Sequence, residues 1–235
     1  MGRDRRVTEC THTDEPRGAA DPRSRRAAGP FAGLPMAQAA LRFARARHAG
    51  QHREIDHAAF ITHPIEVGCL LRGDGQLDAI IAAGLLHDVL EQTATTSAEL
   101  KRRFGAHVAG LVVSVSDDSS LDDYVSRKRE LRHRVAQADP GTRAVFAADK
   151  IAKVRELALL PAWLLNEPKN RAKLAHYGAS LKMLRRMDRD LPLVGQLGVE
   201  VNQLLARAAT GETHSAGPIT SAEGSKHSKL RTLAL

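Results

Sequence analysis

The apolar run Ala79 to Leu86 leads directly into the adjacent pair His87-Asp88, and Val89-Leu90-Glu91-Gln92-Thr93 follows. No other stretch restricts the fold of this chain so strongly. Its length and its alanines predict a helix from Gln76 to about Gln92, with Leu77, Ile80, Ile81, Gly84, Leu85 and Leu86 as the buried positions. Residues four apart share a helix face, so His87 aligns with Glu91 and Asp88 with Gln92. Polar groups at the end of so apolar a helix need partners, because an unpaired polar group is costly to bury. A divalent metal ion would satisfy them.

What surrounds that helix follows from composition. The chain has 235 residues, 43% of them hydrophobic and only 3% aromatic, so its core is built from Leu, Ala, Val and Ile. Such side chains favour close-packed helices over a β-sandwich. The formal charge of +8 with a sequence pI near 9.9 calls for a polyanionic partner, either nucleic acid or a phosphorylated small molecule. Few aromatics are available for stacking on bases and no nucleic-acid motif is recognisable, so the small nucleotide is the expected partner. The two cysteines, Cys10 and Cys69, belong to no CxxC, and Cys69 sits in an apolar run, which predicts a buried free thiol in a reducing cytoplasm. The run Ala79 to Leu86 is too short to span a bilayer, and the first thirty residues contain no apolar signal core.

Periodicity places further helices on both sides. Residues 1–33 and 210–235 read as disordered tails, and residues 34–209 as one all-α domain of eight or nine helices around a single core. Ala37, Ala40, Leu41, Phe43 and Ala44 form one amphipathic face ending at Gly50. Pro64 opens the next helix, carried by Ile65, Val67, Cys69, Leu70 and Leu71 to Gly73. Thr96-Ser97-x-Glu99 marks a helix start closed by Gly105, and Val108 to Val115 gives another apolar segment. A charged helix from Leu121 to Ala138 carries the basic run Arg127-Lys128-Arg129 and breaks at Asp139-Pro140-Gly141. Helices over Thr142 to Leu160, Pro168 to Met187 and Leu191 to Ala208 complete the domain.

Four residues stand out as candidate metal ligands: His63, His87, Asp88 and Asp149. His63 directly precedes Pro64 at a helix edge. Asp149 follows five apolar residues, Ala144 to Ala148, where a lone carboxylate would be poorly solvated. Each has an ordinary reading: a helix-end histidine, a chance dipeptide, an aspartate paired with Lys150. Together they form a mixed nitrogen and oxygen set suited to Mn²⁺, Fe²⁺ or Zn²⁺ with positions left for water.

The motifs Ala39-x-x-x-Phe43, His48-x-Gly50-Gln51-x-Arg53, Phe60-Ile61-x-His63-Pro64-Ile65-x-Val67, Leu85-Leu86-His87-Asp88-x-x-Glu91, Phe104-Gly105 and Ala148-Asp149-Lys150 with Arg155-Glu156-Leu157 resemble the HD-domain hydrolases of the RelA/SpoT group, above all the small stand-alone alarmone hydrolases. The resemblance covers about residues 36 to 160. It implies an HD-domain helical bundle and Mn²⁺, or another divalent ion, held by His63, His87, Asp88 and Asp149. It also implies hydrolysis of (p)ppGpp at the 3′ position to GDP or GTP and pyrophosphate, with Glu91 and Gln92 at the catalytic positions. Arg53, Lys128, Lys150 and Lys153 are then the expected substrate-binding cations. For the basic run, a solvated helix face is an equal alternative.

The chain departs from the family pattern at three places. Gln92 stands where the family has Asp, so a charge and a potential base are absent. Phe60 replaces a tyrosine before the His-Pro motif, and Lys153 replaces an asparagine. These differences keep two alternatives open: an HD phosphohydrolase of another nucleotide or phosphoester, or a weakly catalytic HD domain that binds a nucleotide and signals.

Overall fold

The structure is a computed structural model in which residues 29–211 are described. The expected tails lie outside the described residues except at 29–33 and 210–211. Nine α-helices and one 3-10 turn follow in order among the described residues: α1 Pro35–Arg47, α2 Thr62–Gly73, α3 Asp78–Leu86, α4 Val89–Gln92, α5 Ser97–Val115, α6 Tyr124–Gln137, α7 Pro140–Leu157, the 3-10 turn Ala162–Asn166, α8 Pro168–Met187 and α9 Pro192–Gly211. The one bridge of extended chain among these residues is antiparallel, His52 with Ala59.

Local chemistry starts the helices where it should. The side chains of Thr96, Asp123 and Asp139 accept from the backbone N–H groups of Glu99, Ser126 and Thr142, satisfying donors that the first turn leaves unpaired. Asp139-Pro140-Gly141, expected as a break, is therefore the cap and first turn of α7. Gly105 has φ 85 and kinks α5, so the two short helices expected there form one run with a sharp bend.

The alanine-rich helices make the centre. α3 packs against α1, α2, α5 and α7, and α7 packs in turn on α2, α5, α8 and α9. Ala82, Ala83, Leu85 and Leu86 of α3 and Ala144, Ala147 and Ala148 of α7 are fully buried. Small residues let these axes approach closely. At Gly84 a β-carbon would stand 2.3 Å from Leu71 Cδ1 and 3.2 Å from Val67 Cγ1, so glycine is what allows α3 to seat on α2.

Three expectations change. The helix predicted from Gln76 to Gln92 is divided at His87-Asp88: both residues keep right-handed helical dihedrals, but α3 ends at Leu86 and α4 begins at Val89. The reason is visible at His87, whose Nδ1–H donates to the Gly84 carbonyl at 2.7 Å, and the ladder resumes with Gln92 N–H on the Asp88 carbonyl at 2.9 Å. Cys69 is partly buried rather than buried. Phe31, expected in the tail, is 1% exposed and belongs to the core.

Candidate metal centre and cleft

Three helical elements deliver the four expected ligands to one point. His63 comes from the first turn of α2, His87 and Asp88 from the α3–α4 junction, and Asp149 from the middle of α7. All four are buried. The Nε2 atoms of His63 and His87 are 3.1 Å apart. Asp149 Oδ1 lies 3.2 Å from His63 Nε2 and 3.3 Å from His87 Nε2. Asp88 Oδ2 lies 3.3 Å and 3.2 Å from the same two nitrogens. His63, His87 and Asp149 each offer a ligand atom within 4.8 Å of the others, a group that can hold a metal ion.

The donors fit a divalent cation on hydrogen-bonding grounds. Asp88 Oδ2 and Asp149 Oδ1 are buried and have no hydrogen-bond partner, which is costly for carboxylates unless a cation neutralises them. Because His87 Nδ1 is committed to the Gly84 carbonyl, its Nε2 lone pair is directed at the carboxylates, the arrangement by which a backbone carbonyl orients a ligating imidazole.

Electrostatics gives the same result. Burial opposes a charge on His87, yet Asp88 and Asp149 outweigh it and push the ring up to about 10. Burial likewise opposes ionisation of Asp88 and Asp149. His87, Lys153 and His63 hold Asp88 well below the usual carboxylate range, and Lys150, Lys153 and the two histidines do so for Asp149. The cluster thus demands positive charge, and a proton on His87 supplies it when no metal does.

A cleft of about 640 Å³ opens beside the cluster. Of the expected cations, Arg53, Lys128, Lys150 and Lys153 all line it, as does Gln92. Lys150 Nζ pairs with Asp149 Oδ2 at 2.5 Å, and Lys128 Nζ with Asp117 Oδ2 at 2.7 Å. Lys153 Nζ lies 3.2 Å from Asp149 Oδ1 and 3.7 Å from Asp88 Oδ1, so the lysine standing in place of the family's asparagine faces the ligands. Arg53 is paired with Asp56. Glu91 is placed differently: its Oε1 accepts the Asp117 N–H at 2.8 Å and it lines a neighbouring depression, outside the cleft.

Several lining residues were not foreseen. Lys173, His176 and Tyr177 on α8 face the cleft, and so does Tyr124 on α6. The i, i+3, i+4 spacing of the α8 residues was a readable polar stripe. Both tyrosines of the chain line this one cleft, a pattern that single positions do not reveal.

Comparison with known proteins agrees with this geometry. The chain is 35% identical over 120 residues to the Danio rerio guanosine-3′,5′-bis(diphosphate) 3′-pyrophosphohydrolase MESH1, covering 50% of this chain and 66% of that protein. It is 36% identical over 118 residues to the Homo sapiens protein of the same name, covering 49% and 65%. A guanosine-3′,5′-bis(diphosphate) 3′-pyrophosphohydrolase of Aquifex aeolicus is 33% identical over 165 residues, covering 69% of this chain and 21% of that one. The chain therefore spans less than two thirds of these relatives' length. Among solved structures, one described as a metazoan ortholog of SpoT that hydrolyses ppGpp shares the fold with a TM-score of 0.62 at 23% identity, covering 73% of this chain and 94% of that one. A Listeria monocytogenes structure matches with a TM-score of 0.56 at 23% identity, covering 62% and 96%. The family model described as HD domain matches residues 40–159, a span that includes all four converging residues, and the chain belongs to the HD-domain family.

Proposed function

We propose that the protein is a divalent-metal-dependent phosphohydrolase acting on (p)ppGpp, releasing pyrophosphate from the 3′ position and leaving GDP or GTP. The observation that carries this reading is the pair of buried carboxylate oxygens without a hydrogen-bond partner, Asp88 Oδ2 and Asp149 Oδ1, facing two imidazole nitrogens at the edge of a cation-lined cleft. The names of the relatives supply the substrate.

In this reading His63, His87, Asp88 and Asp149 hold the ion, with Mn²⁺ the first choice by resemblance. A bound divalent ion supplies Lewis acidity, acidifying water and offsetting phosphoryl charge. The residues do the rest. Lys150 fixes the outer oxygen of Asp149, leaving Oδ1 turned toward the histidines. Lys128 and Arg53 exchange their partners Asp117 and Asp56 for the nucleotide, the lysine as a point charge on a phosphate and the arginine as a planar fork. Lys153 adds a cation beside the ligands. Water oxygen bonds to the phosphorus next to the 3′ oxygen, the bond between them breaks, and the 3′ oxygen leaves as a hydroxyl. Gln92 contributes an amide at the cleft wall and takes no proton, and Glu91 positions the segment at Asp117.

A cytoplasmic location belongs to this proposal, because guanine nucleotides are made there. The net positive charge is assigned to nucleotide phosphates rather than to nucleic acid.

Metal-reconstituted protein offered ppGpp, nucleoside 5′-phosphates, cyclic nucleotides and an aryl phosphate should release pyrophosphate from ppGpp preferentially. Exclusive turnover of another member of the panel would replace the substrate. Gln92 favours a second reading, a nucleotide-binding HD domain with little catalysis, which tight ppGpp binding without product after long incubation would select.

A further inference from the structure

His176 of α8 lines the cleft and is 4% exposed. Its ring lies among Tyr124, Phe146 and Tyr177, with centroids 6.4, 6.3 and 5.6 Å away. Arg132 of α6 approaches it, with Nη1 2.6 Å from His176 Nδ1. A guanidinium has only donors and does not lose its proton in proteins. Nδ1 must therefore accept, and the ring's single proton sits on Nε2. That Nε2 is buried and has no hydrogen-bond partner.

The surroundings define what such a donor can meet. Tyr124, Lys128 and Arg132 stand at i, i+4 and i+8 along one face of α6, and Lys150 reaches in from α7. No carboxylate lies within ion-pair distance of Arg132 among the described residues, although its partial burial makes an unpaired charge costly. Burial first, then Lys150, Lys128 and Arg132, hold His176 far below the ordinary histidine range, so it remains neutral. A neutral ring with a fixed donor, in a positive field, selects an anionic acceptor.

We infer that His176 is a specificity-determining residue of the cleft: Arg132 locks its tautomer, and its Nε2–H donates to a phosphoryl oxygen of the bound nucleotide. This rests on the proposed nucleotide function and goes beyond it by assigning a substrate contact outside the family motifs. The donor discriminates by hydrogen bonding as well as by charge. A phosphoryl oxygen satisfies it, whereas a donor group presented at the same place leaves it unpaired.

Two measurements on the full chain test this. In ¹⁵N-labelled protein loaded with diamagnetic Zn²⁺, long-range imidazole spectra should show His176 as the Nε2–H tautomer, with that nitrogen shifting on addition of pyrophosphate or ppGpp. An Nδ1–H tautomer or a protonated ring overturns the inference. His176→Gln places an N–H near the Nε2 position, whereas His176→Asn reaches only the Nδ1 position. With metal content and melting temperature matched, Asn should weaken pyrophosphate and ppGpp binding about tenfold, and Gln should restore most of it. Equal loss in both variants, or no loss in either, overturns the contact. Should the Asn variant not fold, the tautomer and its ligand shift in the unaltered protein decide. If ppGpp is not turned over but pyrophosphate binding depends on the residue 176 donor, the reaction fails and the donor stands. If ppGpp is turned over and His176→Asn is indifferent, the reverse holds.

Discussion

The ligand end of the cleft and its cation wall are built on opposite principles. His63, His87, Asp88 and Asp149 are buried and spring from helices locked by alanine and glycine packing, and two of their carboxylate oxygens have no hydrogen-bond partner. Along the wall, Lys128 and Arg53 are long side chains already paired with Asp117 and Asp56, and Lys153 stays one-third exposed. The first region is preorganised for an ion, so that little is lost in ordering it when the ion binds. The second region holds its charges in pairs that a nucleotide can replace, and such pairs are individually weak. In the proposed function, affinity for metal is set by the fold and affinity for substrate by exchange.

The largest expected effect breaks the ligand end. His87→Ala with Asp88→Ala should abolish stoichiometric metal, measured by elemental analysis, and lower turnover about a thousandfold or more, because several kcal/mol of charge stabilisation disappear. Full metal content in that double variant would remove the site. Gly84→Ala tests whether helix packing holds the ligands in place. The added β-carbon meets Leu71 and Val67, so overpacking should cost about 1–3 kcal/mol in denaturant unfolding and weaken metal binding with it. Lost stability with unchanged metal affinity would separate packing from preorganisation.

Acidity distinguishes the regions too. In the metal-free protein the proton on His87 contributes stability in full below its ordinary 6.5, and this is lost as pH rises through about 10. Asp88 and Asp149 contribute above their ordinary 3.8, and that part is lost as pH falls through their depressed range. A metal must displace the His87 proton, so affinity should rise from about pH 6 to about pH 8, by at most about tenfold per unit. Calorimetry in buffers of different ionisation enthalpy should register the released proton; pH-independent affinity would contradict this account of the cluster. The smallest effects lie on the wall. Lys128→Ala should raise KM about tenfold with metal content unchanged. Lys153→Asn should tighten metal binding by about threefold to tenfold in a chelator competition, since it removes a cation sharing Asp149 Oδ1. Weaker metal binding in that variant would make Lys153 a support of the site instead of a competitor.

Much of the ligand end is legible in the amino-acid sequence. The His-Pro and His-Asp pairs, the carboxylate after an alanine run and the Thr96 cap each have a local physical signature, and the four candidate ligands converge in space. The cation wall is half legible. Arg53, Lys128, Lys150 and Lys153 line the cleft, but Glu91 does not, and the polar stripe Lys173, His176 and Tyr177 does not by itself say that it faces a cleft. A polar residue on an amphipathic helix reads the same whether it faces water or a cleft, and only the packing partner distinguishes the two.

An all-helical chain with an alanine-built core, and an apolar helical run that leads into His87-Asp88, follows from the order of residues alone. Helix propensity, caps and the scarcity of aromatics are properties of the chain and need no tertiary information. The meeting of His63 and Asp149 with His87 and Asp88 does need it, because those residues come from three different helical elements. Packing in three dimensions also sets Lys153 beside Asp88 and Arg132 against His176, 44 residues apart in the chain, contacts that no local rule contains.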